Sequence, residues 1–213
     1  MDHMAFIQNI QNELLKDLPG HSYQYQMAPA DRHIRHLRME GTPKNAAVLI
    51  LLYALQDGLE TVFIKRTQYP GPHSNQISFP GGKADPSDPD LQFTALRETR
   101  EEIGVDPGQI NILGALTPLD IPVSNFKVFP YIGFTQSISK FTIQMQEVQF
   151  LLTEKLEVLN HPMNHGTMEV MIQEKPFQVP CFIIGEHRIW GATAMILREF
   201  LEVARRAGLN SVQ

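Results

Sequence analysis

The run AAVLILLYAL, from Ala46 to Leu55, sets the first limit on the fold. It is about half as long as the ~20 residues that a membrane-spanning helix requires, so it reads as a buried strand. A second apolar segment, TVFIKR, follows after QDGLE, whose Asp57-Gly58 pair suits a tight hairpin. Strands near 110–117, 127–135, 147–153, 167–173 and 177–184 are expected further along. Helical spacing of Phe6, Ile7, Ile10, Leu14 and Leu15 predicts a short amphipathic helix over 4–17. Ile196, Leu197, Phe200, Leu201 and Ala204 predict a second over 192–206, with Trp190 as its anchor. Many strands, few helices and no regular βαβ alternation point to an α/β protein with a mixed sheet packed between helices. The expected division is an N-terminal helical extension, 1–44, and one main domain, 45–207.

Composition narrows the partners. The chain has 213 residues, 43% hydrophobic and 19% charged, as in soluble globular domains. Its net charge of −5 offers no basic footprint for a nucleic acid, although a small nucleotide is not excluded. Cys181 is the only cysteine, so no internal disulfide forms and a reducing compartment is expected. The start MDHMAFIQNIQNELLK lacks the basic segment and apolar core of a secretory signal. A cytoplasmic protein with no membrane partner is the expectation from these absences. A homodimer is compatible with the sequence.

Residues 68–89 form a long irregular stretch rich in Pro and Gly, and loops of that length inside a domain are usually functional. A helix is expected from about Pro89 to Ile103, with Asp88 as N-cap, Pro89 at the first turn and Gly104 at its end. This helix carries RETREEIGV, in which Glu98, Glu101 and Glu102 stand at i, i+3 and i+4 and share one face. Like charges so spaced destabilise a helix by about 0.2–0.5 kcal/mol per pair. A hard divalent cation removes that repulsion, because Mg²⁺ takes oxygen ligands. A solvated acidic face, with Arg97 paired to Glu101, is the plainer alternative. The diglycine turn Gly81-Gly82 just upstream lets backbone approach a ligand or metal closely.

The segment Gly82–Val105 resembles the Nudix box, G-x5-E-x7-R-E-U-x-E-E-x-G-U, where U is a bulky aliphatic residue. Gly82, Arg97, Glu98, Glu101, Glu102, Gly104 and Val105 match. Asp88 stands at the first Glu, eight residues rather than seven separate it from Arg97, and Thr99 replaces the first U. FPGGKADPSD followed by TALRE is similar to the coenzyme A pyrophosphatase branch of the Nudix hydrolases. That branch has an upstream signature, L-L-T-x-R-S-x3-R-x3-G-x3-F-P-G-G. Arg66 and Phe79–Gly82 match it, and Thr67 replaces its Ser. Gly71 stands where it has Arg, and Asn75 where it has Gly. IWGATAMILREFL resembles the branch's C-terminal helix, and the likeness spans roughly 45–205.

The resemblance implies a Nudix-type α/β/α sandwich and hydrolysis of a small-molecule diphosphate with Mg²⁺ or Mn²⁺. Coenzyme A or a derivative is the first substrate, giving 3′,5′-ADP and 4′-phosphopantetheine. By position, Glu98, Glu101 and Glu102 are the metal carboxylates, with the Gly81 carbonyl as a further ligand. Glu98 acts as base or orients water, and Arg97 orients the carboxylates. Arg66 and His73 are the substrate-binding candidates. Asp88 serves equally as a helix cap, and Glu147 reads either as a distal ligand or as a solvated strand-edge residue. ADP-ribose or a nucleotide sugar is a rival substrate. A non-catalytic nucleotide-binding module and a structural protein with a solvated acidic helix are rivals of other classes.

Overall fold

A computed structural model describes residues 3–29, 41–56, 58–71, 73–138, 140–172 and 175–210. Residues 30–40 of the N-terminal extension, Asp57 of the expected hairpin and Pro72 of the long loop lie outside the described residues. The apolar run forms strand β1 (Lys44–Leu55), in the interior of the main sheet. It pairs antiparallel with β2 (Gly58–Arg66) and with the short β4 (Gly81–Lys83), and parallel with β7 (Phe126–Thr135). Both faces of β1 are covered, which is why its sequence is continuously apolar rather than alternating. Ala47, Leu49, Leu51 and Tyr53 pack on one face with Ala95 and Ile103 of helix α3 (Leu91–Ile103). Ala46, Ile50 and Leu52 pack on the other with helices α1 (His3–Leu14) and α5 (Gly191–Arg206).

The mixed sheet is completed by β3 (Ile77–Ser78) and β8 (Val148–Lys155) on β2, and by β5 (Asn111–Ala115) and β6 (Leu119–Ile121) on β7. A separate three-stranded antiparallel sheet comprises β9 (His165–Ile172), β10 (Lys175–Ile184) and β11 (His187–Trp190). Its Phe182, Ile184 and Ile189 enter the same core as α5. Helix segments α2 (His21–Gln24) and α4 (Leu156–Leu159) fill corners. Two- to four-residue pieces such as β3, β4, β6 and β11 span too few residues to show a period, so sequence patterning misses them.

The described N-terminal residues share the main core. Phe6, Ile7 and Ile10 are buried in it, and the Asn9 amide donates to the Ala207 carbonyl at 3.2 Å. A second fastening is Glu199 of α5, fully buried. Its carboxylate accepts from Gly20 N, Gln24 Nε2, Thr117 N and Thr117 Oγ1 at 2.7–3.3 Å. Four donors satisfy a charge that would otherwise be costly to bury.

Candidate active site

Helix α3 begins two residues later than expected. Asp90, not Asp88, is its N-cap, accepting from Phe93 N at 2.7 Å, and Pro89 precedes the helix. Asp88 turns instead toward Arg97, whose Nε and Nη2 donate to its two oxygens at 2.9 and 3.0 Å. Thr94 Oγ1 and Asp85 N also donate to it, and its side chain is only 2% exposed. The Arg97 guanidinium holds the Asp88 carboxyl far below the usual carboxylate range. The aspartate therefore fixes an arginine nine positions on, a role that helix-cap patterning does not separate from capping.

Gly104 ends α3 in the left-handed region, φ 75°, donating its N–H to the Arg100 carbonyl. Thr99, at the position where the Nudix box has an aliphatic residue, is buried and donates its hydroxyl to the Ala95 carbonyl at 2.7 Å. That local bond satisfies the polar atom and lets Thr occupy an apolar site.

The three glutamates share one helix face, but different donors hold them. Arg97 Nη1 donates to Glu98 Oε1 at 2.9 Å and to Glu101 Oε2 at 3.1 Å. Glu102, 1% exposed, accepts from Gly81 N at 2.8 Å and from Arg66 Nη1 at 3.4 Å. The Glu98 carboxyl lies where a Cβ on Gly82 would be, so any side chain at this position would displace that carboxyl. Among the described residues, no three His, Cys, Asp or Glu side chains close on a common point as a finished metal centre does.

Charge accumulates here all the same. Burial pushes the Glu102 carboxyl up to about 8, against the Gly81 N–H and Arg66, and the charges of Glu98 and Glu147 push it further. Burial likewise raises Glu98, Arg97 opposes it, and Glu101 and Glu147 add to it. Glu147, exposed in the turn before β8, thus lies within electrostatic reach of both. Five carboxylates face two guanidinium groups, and the donors are all oxygens. That chemistry fits a hard divalent cation.

The end of β2 supplies Arg66, and the loop between it and the diglycine turn supplies His73. The His73 ring bridges Gln76 Oε1 at 3.3 Å and Ser124 Oγ at 3.0 Å, joining this loop to the turn before β7. Burial first, and the Arg66 charge after it, lower its pKa, so it is neutral near pH 7. Asn75 has φ 57°. It occupies the signature's glycine position and adopts the left-handed geometry that glycine favours, which Asn tolerates better than most residues. The turn survives that departure. His161, His165 and His187 bind their own surroundings: His161 Nδ1 accepts from Met163 N, His165 meets the Leu159 carbonyl, and His187 packs at a tilt against the Phe150 ring.

Comparison with known proteins bears on the family and the fold. The NUDIX domain model matches residues 43–165. The chain is 32% identical over 173 residues to human mitochondrial coenzyme A diphosphatase NUDT8, covering 78% of this chain and 72% of that one. It is 29% identical over 181 residues to the uncharacterised Nudix hydrolase NudL of Yersinia pestis, covering 84% and 90%. Among solved structures, a MutT/nudix family protein from Enterococcus faecalis superposes with a TM-score of 0.51 at 16% identity, over 84% of this chain and 70% of that one, which speaks to the fold.

Proposed function

Since the chain belongs to the NUDIX family of pyrophosphohydrolases, we propose that it cleaves the diphosphate of coenzyme A or a derivative, with Mg²⁺ or Mn²⁺, to 3′,5′-ADP and 4′-phosphopantetheine. The observation that carries this reading is the seating of Glu98 and Glu102 against the Gly81-Gly82 turn, with Arg66 at the head of Glu102. The likeness to a coenzyme A diphosphatase supports the substrate.

Glu98, Glu101, Glu102 and the Gly81 carbonyl would hold the metal. A bound divalent ion supplies neutralising charge for the diphosphate and acidifies water. Arg97, pinned by Asp88, keeps Glu98 and Glu101 on the substrate side of the helix. Arg66 meets a phosphate oxygen, and neutral His73 braces the loop that closes that side. Hydrolysis forms one P–O bond to water and breaks one bridging P–O bond. Glu98 takes the water proton. Glu147 adds a fourth carboxylate to the site.

Incubating purified protein with Mg²⁺ or Mn²⁺ and either coenzyme A or ADP-ribose tests this reading. The expected products are 3′,5′-ADP and 4′-phosphopantetheine, with no turnover after chelation. Turnover of ADP-ribose alone would reject the coenzyme A assignment. Undiminished turnover in chelator would reject the metal.

A further inference from the structure

Strand β8 runs against β2 in regular antiparallel register from Glu60↔Lys155 to Lys65↔Phe150. At the next step Arg66 pairs with Val148, and Gln149 is skipped. One extra residue in β8 makes a β-bulge, a device that bends a strand and re-aims side chains. Its effect here is concrete. Val148 is buried in the layer under α3, with Ile64, Ala95 and Ile103. Thr67 comes level with Glu147 and donates its N–H to the Glu147 carbonyl at 2.9 Å. The Thr67 hydroxyl donates to the Gln146 carbonyl at 3.0 Å.

The other end of this segment is tied to the glutamate helix. Thr142 N and Gln144 N donate to the carbonyls of Ile103 and Glu102 at 2.9 and 3.0 Å, groups that a helix end leaves without partners of its own. Glu147 N and Val148 N both donate to the Gln144 carbonyl. The turn 145–147 is therefore strung between the end of α3 and the end of β2. The Thr67 hydroxyl is a side-chain fastener within an otherwise main-chain frame.

We propose that Thr67 is a positioning residue, whose hydroxyl fixes the 145–147 turn and so holds Glu147 between the end of the glutamate helix and the end of β2. This rests on the functional reading above, in which Glu147 belongs to the site. Valine keeps the branched shape of threonine and removes the hydroxyl, whereas serine keeps the hydroxyl.

The test is Mn²⁺ titration calorimetry of the full chain as wild type, T67V, T67S, E147Q and T67V/E147Q, with amide hydrogen exchange over 144–148. Loss of one hydrogen bond at a hinge of the turn weakens Mn²⁺ binding by about threefold to tenfold in T67V. T67S binds within about twofold of wild type, and T67V adds nothing once Glu147 is Gln, because coupled residues are not additive. Exchange over 144–148 accelerates in T67V and is restored in T67S. Wild-type affinity and exchange in T67V, failure of serine to rescue, or independent effects of T67V and E147Q would overturn the proposal. Wild-type protein that binds no Mn²⁺ would overturn the functional reading instead, and the exchange comparison would still decide whether Thr67 holds the turn.

Discussion

Gly81 donates its main-chain N–H to Glu102 Oε2 at 2.8 Å, and this bond makes the diglycine turn and the glutamate helix one unit. The two glycines are needed for different reasons. A Cβ on Gly81 would overlap the Ala47 carbonyl and the Val48 backbone, at φ 145°. G81A is expected to destabilise the fold by about 3 kcal/mol or more, since neither obstacle is a flexible side-chain end. The atoms nearest a Cβ on Gly82 would be those of the Glu98 carboxyl, which can swing away. G82A should fold normally and lose on the order of 100-fold in kcat, as displaced reacting groups do. Thermal melts beside turnover separate the two.

Asp88 and Asp90 stand two residues apart and do unlike work. D88A removes both acceptors of the Arg97 fork and frees Glu98 and Glu101 from their orientation. Arg97 keeps Glu98 and Glu101, so losing the Asp88 fork costs about 1–3 kcal/mol, and turnover should fall at least about tenfold. D90A removes only the Phe93 N–H cap, costing about 1 kcal/mol with kcat unchanged. Urea unfolding and kcat measured on both variants check this. Equal loss of activity in the two would show that Asp88 does not act through Arg97.

Glu199 joins α5 to residues 20–24 and to Thr117 through four hydrogen bonds. E199A leaves those buried donors without an acceptor, at about 1–3 kcal/mol each before relaxation. We expect a loss of about 4 kcal/mol or more, and rapid proteolysis within the first 29 residues. E199Q should lie between, because its amide keeps one acceptor oxygen.

Acid should erase the contribution of Glu202. Arg205 holds this carboxyl down to about 2, with Arg206 adding to the effect and burial opposing it. A depressed carboxylate stabilises the fold above its unfolded pKa of 4.5, and the effect vanishes as pH falls through about 2. Arg205 is 59% exposed, so solvent screening limits the gain to about 1–2 kcal/mol at pH 7. The stability gap between wild type and E202Q should therefore close between pH 4.5 and 2. A gap constant across that window would remove the ion pair as its cause.

What the sequence determined by itself was local and periodic. Ten apolar residues in a row required a strand buried on both faces, and β1 is that strand. The spacing of Glu98, Glu101 and Glu102 required a common helix face, because 3.6 residues per turn leave no other result. The tertiary structure decided which partner each charge has. Glu102 meets Arg66 across 36 positions, Glu199 meets Gly20 across 179, and Asp88 turns to Arg97 instead of the helix end. A charged side chain has no period, and its partner depends on which strands pair and where a bulge shifts their register. The skipped Gln149, which sets Thr67 opposite Glu147, has no signature in the residues around it, because a bulge is a property of two strands together.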